Sequence, residues 1–239
     1  LSVSARAVLY TESEAFSLHS SSTESNIAGV LAWGDYDGDG DLDLVVGNDG
    51  MMAGPAFPNL LFRNDGGSIN TEAVLSWAED LHASSVAWGD YDNDGDLDLA
   101  VGNRSETNRL YLNDNGTIVT TAVWASSEAD FTESVAWGDY DGDGDIDLAV
   151  GNSGDPTRIY RNDNGVLSSS AVWSSNELDW SGGIAWGDYD NDGDLDLAVG
   201  NHFQPNRLYR NTGETLTASA IWSSSESDDT FAVAWGDYD

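Results

Sequence analysis

The chain has 239 residues and sets 43 Asp and Glu against eight basic residues, a formal charge of −35. That balance excludes nucleic acid as a partner, because phosphate binding needs a basic footprint, and it disfavours anionic membrane surfaces. No apolar run reaches the ~18 residues of a membrane-inserted helix, and the lack of Cys excludes disulfides, thiolate metal sites and a cysteine nucleophile. With 40% hydrophobic residues, ten of them Trp, the chain can build a core; like charges oppose compaction, so a folded chain at −35 implies bound cations.

The first element in chain order is an outer strand within residues 1–12, around Ala7-Val8-Leu9-Tyr10, in an opening stretch that does not read as a signal peptide. A Ser- and Glu-rich stretch, Thr11–Val30, follows, and then a repeat takes over. AWGDYD occurs five times, with its Trp at Trp33, Trp88, Trp137, Trp186 and Trp235, spaced by 55, 49, 49 and 49 residues. A period near 50 fits a four-stranded propeller blade better than a helical hairpin.

Each unit holds four short apolar segments. The first enters an acidic loop (SVAWGDYD, Ser134–Asp141) and the second leaves it (IDLAVGN, Ile146–Asn152). The third is TRIYRN (Thr157–Asn162) and the fourth SSAVWSS (Ser169–Ser175). All are bounded by Gly, Asn, Asp or Ser, and none sustains a helical period. NDNG at Asn113–Gly116 and Asn162–Gly165 is a tight hairpin signal. The expected fold is therefore all-β: a β-propeller of antiparallel four-stranded blades, one repeat domain over 1–239. The blades fall at about 28–78, 83–127, 132–176 and 181–225, with the first strand of a further blade at 231–239. The stretch Asp49–Pro58 is an insertion in the first blade, in a place suited to specific contacts.

Segments one and four occur five times, but segments two and three only four times. Unpaired sheet edges invite pairing. Either a longer chain continues the array, or another copy supplies the missing strands, head to tail, building a fibre.

The acidic loop carries the chemistry. In DYDGDGDLD the carboxylates Asp35, Asp37, Asp39 and Asp43 stand at loop positions 1, 3, 5 and 9, with Gly40 at position 6 and Asp41 offering its carbonyl from position 7. The pattern recurs as Asp90, Asp92, Asp94, Asp96, Asp98; as Asp139, Asp141, Asp143, Asp145, Asp147; and as Asp188, Asp190, Asp192, Asp194, Asp196. Alternate oxygens on a curled loop converge on one point, as in the first nine positions of an EF-hand loop, and hard Ca²⁺ takes six to eight such oxygens. Val46, Val101, Val150 and Val199 stand at position 12, where an EF-hand has Glu, and the loop joins strands, so these are not EF-hands. About four calcium ions are expected.

The run WGDYDGDGDLD with its following apolar-Gly-Asn strand end resembles the FG-GAP/VCBS repeat, the blade of integrin α-subunit propellers and of many secreted bacterial proteins. The resemblance covers nearly the whole chain. It implies a calcium-loaded propeller outside the cell, in adhesion, ligand binding or scaffolding. Family propellers usually have seven blades.

Other residues fit that frame. Trp33, Trp88, Trp137 and Trp186 are expected in the core, and Trp124, Trp173 and Trp222 in the core or between blades; Trp180 breaks the pattern and is expected exposed. Arg109, Arg158 and Arg207 within the third strand, and Arg63, Arg161 and Arg210 just after it, are expected to pair with carboxylates across blades. His19, His82 and His202 occupy non-equivalent positions and complete no triad, so no enzyme is expected. Asn103-Arg-Ser and Asn115-Gly-Thr are glycosylation sequons. The reading is an extracellular calcium-binding scaffold whose partners are other copies of itself, surface proteins or glycans. The alternatives are a lectin-like propeller and the non-catalytic propeller of a larger secreted enzyme.

Overall fold

The computed structural model describes residues 28–48, 57–77, 82–213 and 215–236. The expected strand at 1–12, most of the 49–58 insertion, His19 and residues 237–239 lie outside the described residues. Within them, sixteen strands form four antiparallel four-stranded sheets. The first blade contains β1 (Ala28–Gly34), β2 (Asp43–Asn48), β3 (Asn59–Phe62) and β4 (Leu75–Trp77). The second contains β5 (Ala83–Gly89), β6 (Asp98–Asn103), β7 (Arg109–Tyr111) and β8 (Trp124–Ala125). The third contains β9 (Thr132–Gly138), β10 (Asp147–Asn152), β11 (Arg158–Tyr160) and β12 (Trp173–Ser174). The fourth contains β13 (Ser181–Gly187), β14 (Asp196–Asn201), β15 (Arg207–Tyr209) and β16 (Trp222–Ser223).

Every sheet is an up-and-down meander, in sequence order from first strand to fourth. Period-2 segments separated by loops that cannot continue a strand leave each segment only its neighbour to pair with. The hairpin turns carry the positive φ they require: Asn115 at 49° with Gly116 at 76°, and Asn164 at 53° with Gly165 at 73°. Outer strands are shorter than the sequence pattern implies. Only Trp124 and Ala125 pair as β8, while the preceding Val123 N–H still reaches Leu110 O at 2.8 Å. Residues 231–236 form no strand, since the described residues hold no second strand to pair with them.

The second strands β6 and β10 are buried along their whole length, so each sheet must be covered on both faces. The first strands supply the cover by stacking in series, β1 on β5, β5 on β9 and β9 on β13. At each step a Trp lies flat on the Gly that ends the preceding blade's first strand. A Cβ on Gly34 would sit 2.6 Å from Trp88, one on Gly138 2.5 Å from Trp186, and one on Gly187 2.5 Å from Trp235. Glycine is required here by close approach, not by backbone angle. The Trp137, Trp186 and Trp235 Nε1–H groups donate to Ala87, Ala136 and Ala185 carbonyls of the blade before.

Farther out, the fourth-strand Trp of one blade meets the third-strand Tyr of the next edge-on. Trp77–Tyr111, Trp124–Tyr160 and Trp173–Tyr209 have ring centroids 5.2–5.6 Å apart. The periodic Trp residues are thus blade-to-blade contacts, and the outer copies show it: Trp33 is 49% exposed and Trp222 53%, whereas Trp77 and Trp173 are buried. Trp180 is exposed, as its break from the repeat implied.

Because a methyl group at Gly138 would strike the Trp186 ring, Gly138→Ala should lower stability by about 2–3 kcal/mol, at the upper end of overpacking changes. Gly236, in the equivalent sequence position, has nothing within 4 Å of its Cβ site, and Gly236→Ala should stay within ~0.5 kcal/mol of the parent. Urea unfolding of the two variants side by side measures both.

Candidate metal centre

The loop between the first two strands of each blade curls because two positions take the left-handed conformation. Position 6 is Gly in all four, with φ from 95° to 99°, and its N–H donates to the position 1 carboxylate at 3.0–3.1 Å (Gly40 to Asp35, Gly95 to Asp90, Gly144 to Asp139, Gly193 to Asp188). Position 4 is also left-handed: Gly38 at 70°, Asn93 at 60°, Gly142 at 75°, Asn191 at 58°. This accounts for the alternation of Gly and Asn there, since these residues tolerate that region best. Position 5 carboxylates accept the N–H of position 7 at 2.9–3.1 Å, tightening the curl.

The curl gathers the acidic side chains. Asp35, Asp37 and Asp39 bring one carboxylate oxygen each to within 4.8 Å of one another, as do Asp90, Asp92 and Asp94. In the third and fourth blades the gathered sets are Asp139, Asp141 and Asp147, and Asp188, Asp190 and Asp196. Asp143 and Asp192 fall outside those sets, as do Asp43 and Asp98.

The position 9 residues do something the sequence reading missed. Asp43, Asp98, Asp147 and Asp196 are fully buried, and each accepts two backbone N–H groups. Asp98 takes Tyr91 N–H at 3.1 Å and Asn113 N–H at 2.8 Å; Asp147 takes Tyr140 at 3.0 Å and Asn162 at 2.8 Å. One carboxylate thereby ties the start of the loop to the end of the third strand. Burial pushes the Asp98 and Asp147 carboxyls up to about 7, against the pull of those N–H bonds. The bonded Asn then reaches into the previous blade: Asn113 Nδ2–H donates to Tyr36 O at 2.7 Å, Asn162 to Tyr91 O at 2.6 Å and Asn211 to Tyr140 O at 2.5 Å.

Position 7 side chains turn away from the gathered oxygens to cap the next turn of the same blade. Asp41 accepts Gly66 N–H at 2.5 Å, Asp96 accepts Asn115 N–H at 2.7 Å and Asp145 accepts Asn164 N–H at 2.6 Å. Gly213 lies near Asp194 in the fourth blade.

Expected pairing of the arginines across blades needs correction. Arg63 binds Asp37 at 3.0 Å and Asp39 at 3.3 Å, and Arg210 binds Asp190 at 2.8 Å and Asp192 at 3.1 Å, all within their own blade's loop. Arg161 holds Asp163 at 2.7 Å in its own turn. Arg158 and Arg207 hold Asp130 and Asp179, in the segments leading into their own blades. Arg104 on Glu133, at 2.7 Å, does cross from one blade to the next. The signal was available: in a meander the third strand ends beside the loop joining the first two.

The two sequons differ in presentation. Asn103 is fully buried and spends its amide on Thr107 O at 2.9 Å, so a glycan has no access to it; Asn115 stands exposed at the hairpin turn.

The residues fit a hard cation. Asp35 Oδ1, Asp90 Oδ1, Asp141 Oδ1 and Asp190 Oδ1 are shielded from water and receive no hydrogen bond. A shielded carboxylate oxygen without a donor is costly. Burial and neighbouring carboxylates raise the Asp92 and Asp141 carboxyls, whereas the hydrogen bond from Arg210 lowers that of Asp192. The donor sets are all oxygen, which selects Ca²⁺ or Mg²⁺ over softer metals.

The comparisons agree with this geometry. The FG-GAP-like repeat matches at residues 35–101, 90–150, 139–199 and 191–239. No curated relative matches. Among solved structures, BBS1N in complex with ARL6DN, soaked with mercury, is similar at TM-score 0.55 and 15% identity, over 89% of this chain and 58% of that one. The same complex soaked with lead is similar at TM-score 0.55 and 17% identity, over 97% of this chain and 60% of that one. This chain thus spans less than two thirds of the length of those chains, and at such identity the likeness is one of fold. With consecutive matches from Asp35 onward, on four sheets built by one rule, the chain belongs to the FG-GAP-like repeat family.

Proposed function

We propose that this chain is a calcium-stabilised, non-catalytic propeller module that works outside the cell as an adhesion or protein-binding scaffold. The observation that carries the reading is the set of water-shielded, donor-less carboxylate oxygens, at least one in each of four loops. A flexible oxygen loop suits Ca²⁺ better than Mg²⁺, which demands a rigid octahedron and retains water. Asp35 to Asp41, and their counterparts in the other blades, would hold the ion, with Asp147 and Asp196 joining in the third and fourth. The ion supplies positive charge at the curl, and the protein's part is to orient the loop. Weak sites of this kind fill at extracellular calcium, roughly 10⁻⁴–10⁻³ M dissociation constants. A scaffold role draws support from similar solved structures in which BBS1N stands in complex with a partner, ARL6DN.

A second reading, glycan binding, is favoured by Trp180 and Phe203, which are 52% and 65% exposed. They lie at the end of the sheets away from the acidic loops, where Trp180 bridges Ser153 just past β10 and its N–H meets Gln204 at 2.6 Å. Retention on a glycan panel that Trp180→Ala abolishes would favour this reading over the protein scaffold.

Native mass spectrometry in millimolar calcium should show four ions, and thermal unfolding should shift upward and reverse with chelator. At tenfold excess over its dissociation constant each ion contributes about 1.4 kcal/mol. Dissociation constants near 10⁻⁴ M fit the extracellular reading; sub-micromolar values overturn it. Two variants separate the roles within the loop. Asp98→Ala should lose about 2–3 kcal/mol even in chelator, because it orphans two buried N–H groups. Asp94→Ala should lose one ion but change stability in chelator by less than ~0.5 kcal/mol. Urea unfolding with and without calcium reads both.

A further inference from the structure

The four loops are alike, but what stands beside them is not. The residue that directly follows the third strand is Arg63 in the first blade, Leu112 in the second, Arg161 in the third and Arg210 in the fourth. Two residues later stand Asp65, Asp114, Asp163 and Thr212. Arg210, with Thr212 where the other turns carry Asp, lays its guanidinium on Asp190 and Asp192 at 2.8 and 3.1 Å. Arg63 divides itself between Asp37 and Asp39 in the loop and Asp65 in the turn. Arg161 is drawn to Asp163.

We propose that Arg210 and Arg63 are built-in cations that compete with calcium for the fourth and first loops, so that calcium fills the second blade first, the third next, and the first and fourth last. The proposal rests on the calcium reading above. Asp37 and Asp39, which Arg63 holds, and Asp190, which Arg210 holds, belong to the gathered sets that an incoming ion would use. To bind, the ion must displace the guanidinium or share the loop with a like charge a few ångströms away. Both arginines are about two-fifths exposed, so they can swing into water, and solvent screening holds the penalty to about tenfold in affinity rather than the far larger unscreened value. In the second blade Leu112 imposes no such competition. The first and fourth loops then keep part of their charge balance when calcium is scarce, and the loop Asp90–Asp98 depends on the ion most.

Calcium titration calorimetry on the full chain tests this. The parent should show tight and weak classes, and Arg210→Leu should move one weak site roughly tenfold tighter, with Arg63→Leu acting likewise on the first loop. Leu112→Arg should weaken the tightest site by about the same factor. Hydrogen exchange in chelator gives a second readout: the Asp90–Asp98 loop should exchange faster than Asp188–Asp196, and Arg210→Leu should erase that difference. Four indistinguishable sites left unmoved by Arg210→Leu and Arg63→Leu would overturn the proposal while sparing the calcium reading. No calcium uptake by the parent would overturn both.

Discussion

The structure turns on a carboxylate that never meets water. Asp43, Asp98, Asp147 and Asp196 are fully buried, one per blade, and an unpaired ion there would be prohibitive. Each is tolerated because two backbone N–H groups converge on it. Those N–H groups come from different parts of the blade, the head of the acidic loop and the second residue after the third strand. Satisfying the carboxylate therefore sets where the third strand must end. The same Asn that donates its backbone N–H sends its side chain to the preceding blade's Tyr carbonyl. One buried charge thus orders a loop, a hairpin and a blade interface together.

The loop's remaining carboxylates are a consequence. With position 9 pinned from the strand side and position 6 glycine bonded to position 1, positions 1 and 3 face one another in every loop, joined by position 5 in the first two blades and by position 9 in the last two. The fold creates the electrostatic problem that a cation resolves, in a chain already at −35. Four divalent ions would remove eight of those charges. The surface then stays acidic enough to repel non-specific partners.

Much of this was legible in the sequence, because the repeat writes each rule several times. The loop was legible from alternating Asp and an invariant Gly, and the meander from NG turns whose residues take positive φ. What was not legible depends on which segment lies beside which. Asp98 and Asp94 are the same letter, yet one accepts N–H bonds in the dark and the other faces solvent. Arg63 and Arg210 looked like ties between blades until the third strand placed them over their own loop. Asn103 reads as a sequon, but it is also the Asn that closes β6 onto the link to β7, and burial decides between the two. The outer strands were read too long because apolar composition continues past the two residues that pair.

The regularity also locates where blades are free to differ. Every internal joint uses the same Trp on the same Gly, so those positions cannot vary without closing or opening the gap between sheets. The exposure of Trp33 and Trp222 against buried Trp173 follows from place in the array, not from a change of residue. Differences that survive this constraint sit on the loop edges: Leu112 among three arginines, Thr212 among three aspartates, and Asn or Gly at loop position 4. Asn93 uses that freedom to reach Asp145 of the following loop at 2.7 Å, a bond that Gly38 and Gly142 cannot make. Four loops folded by one rule thereby acquire four electrostatic surroundings, so a repeat can hold its architecture fixed while the charge environment of each loop is set separately.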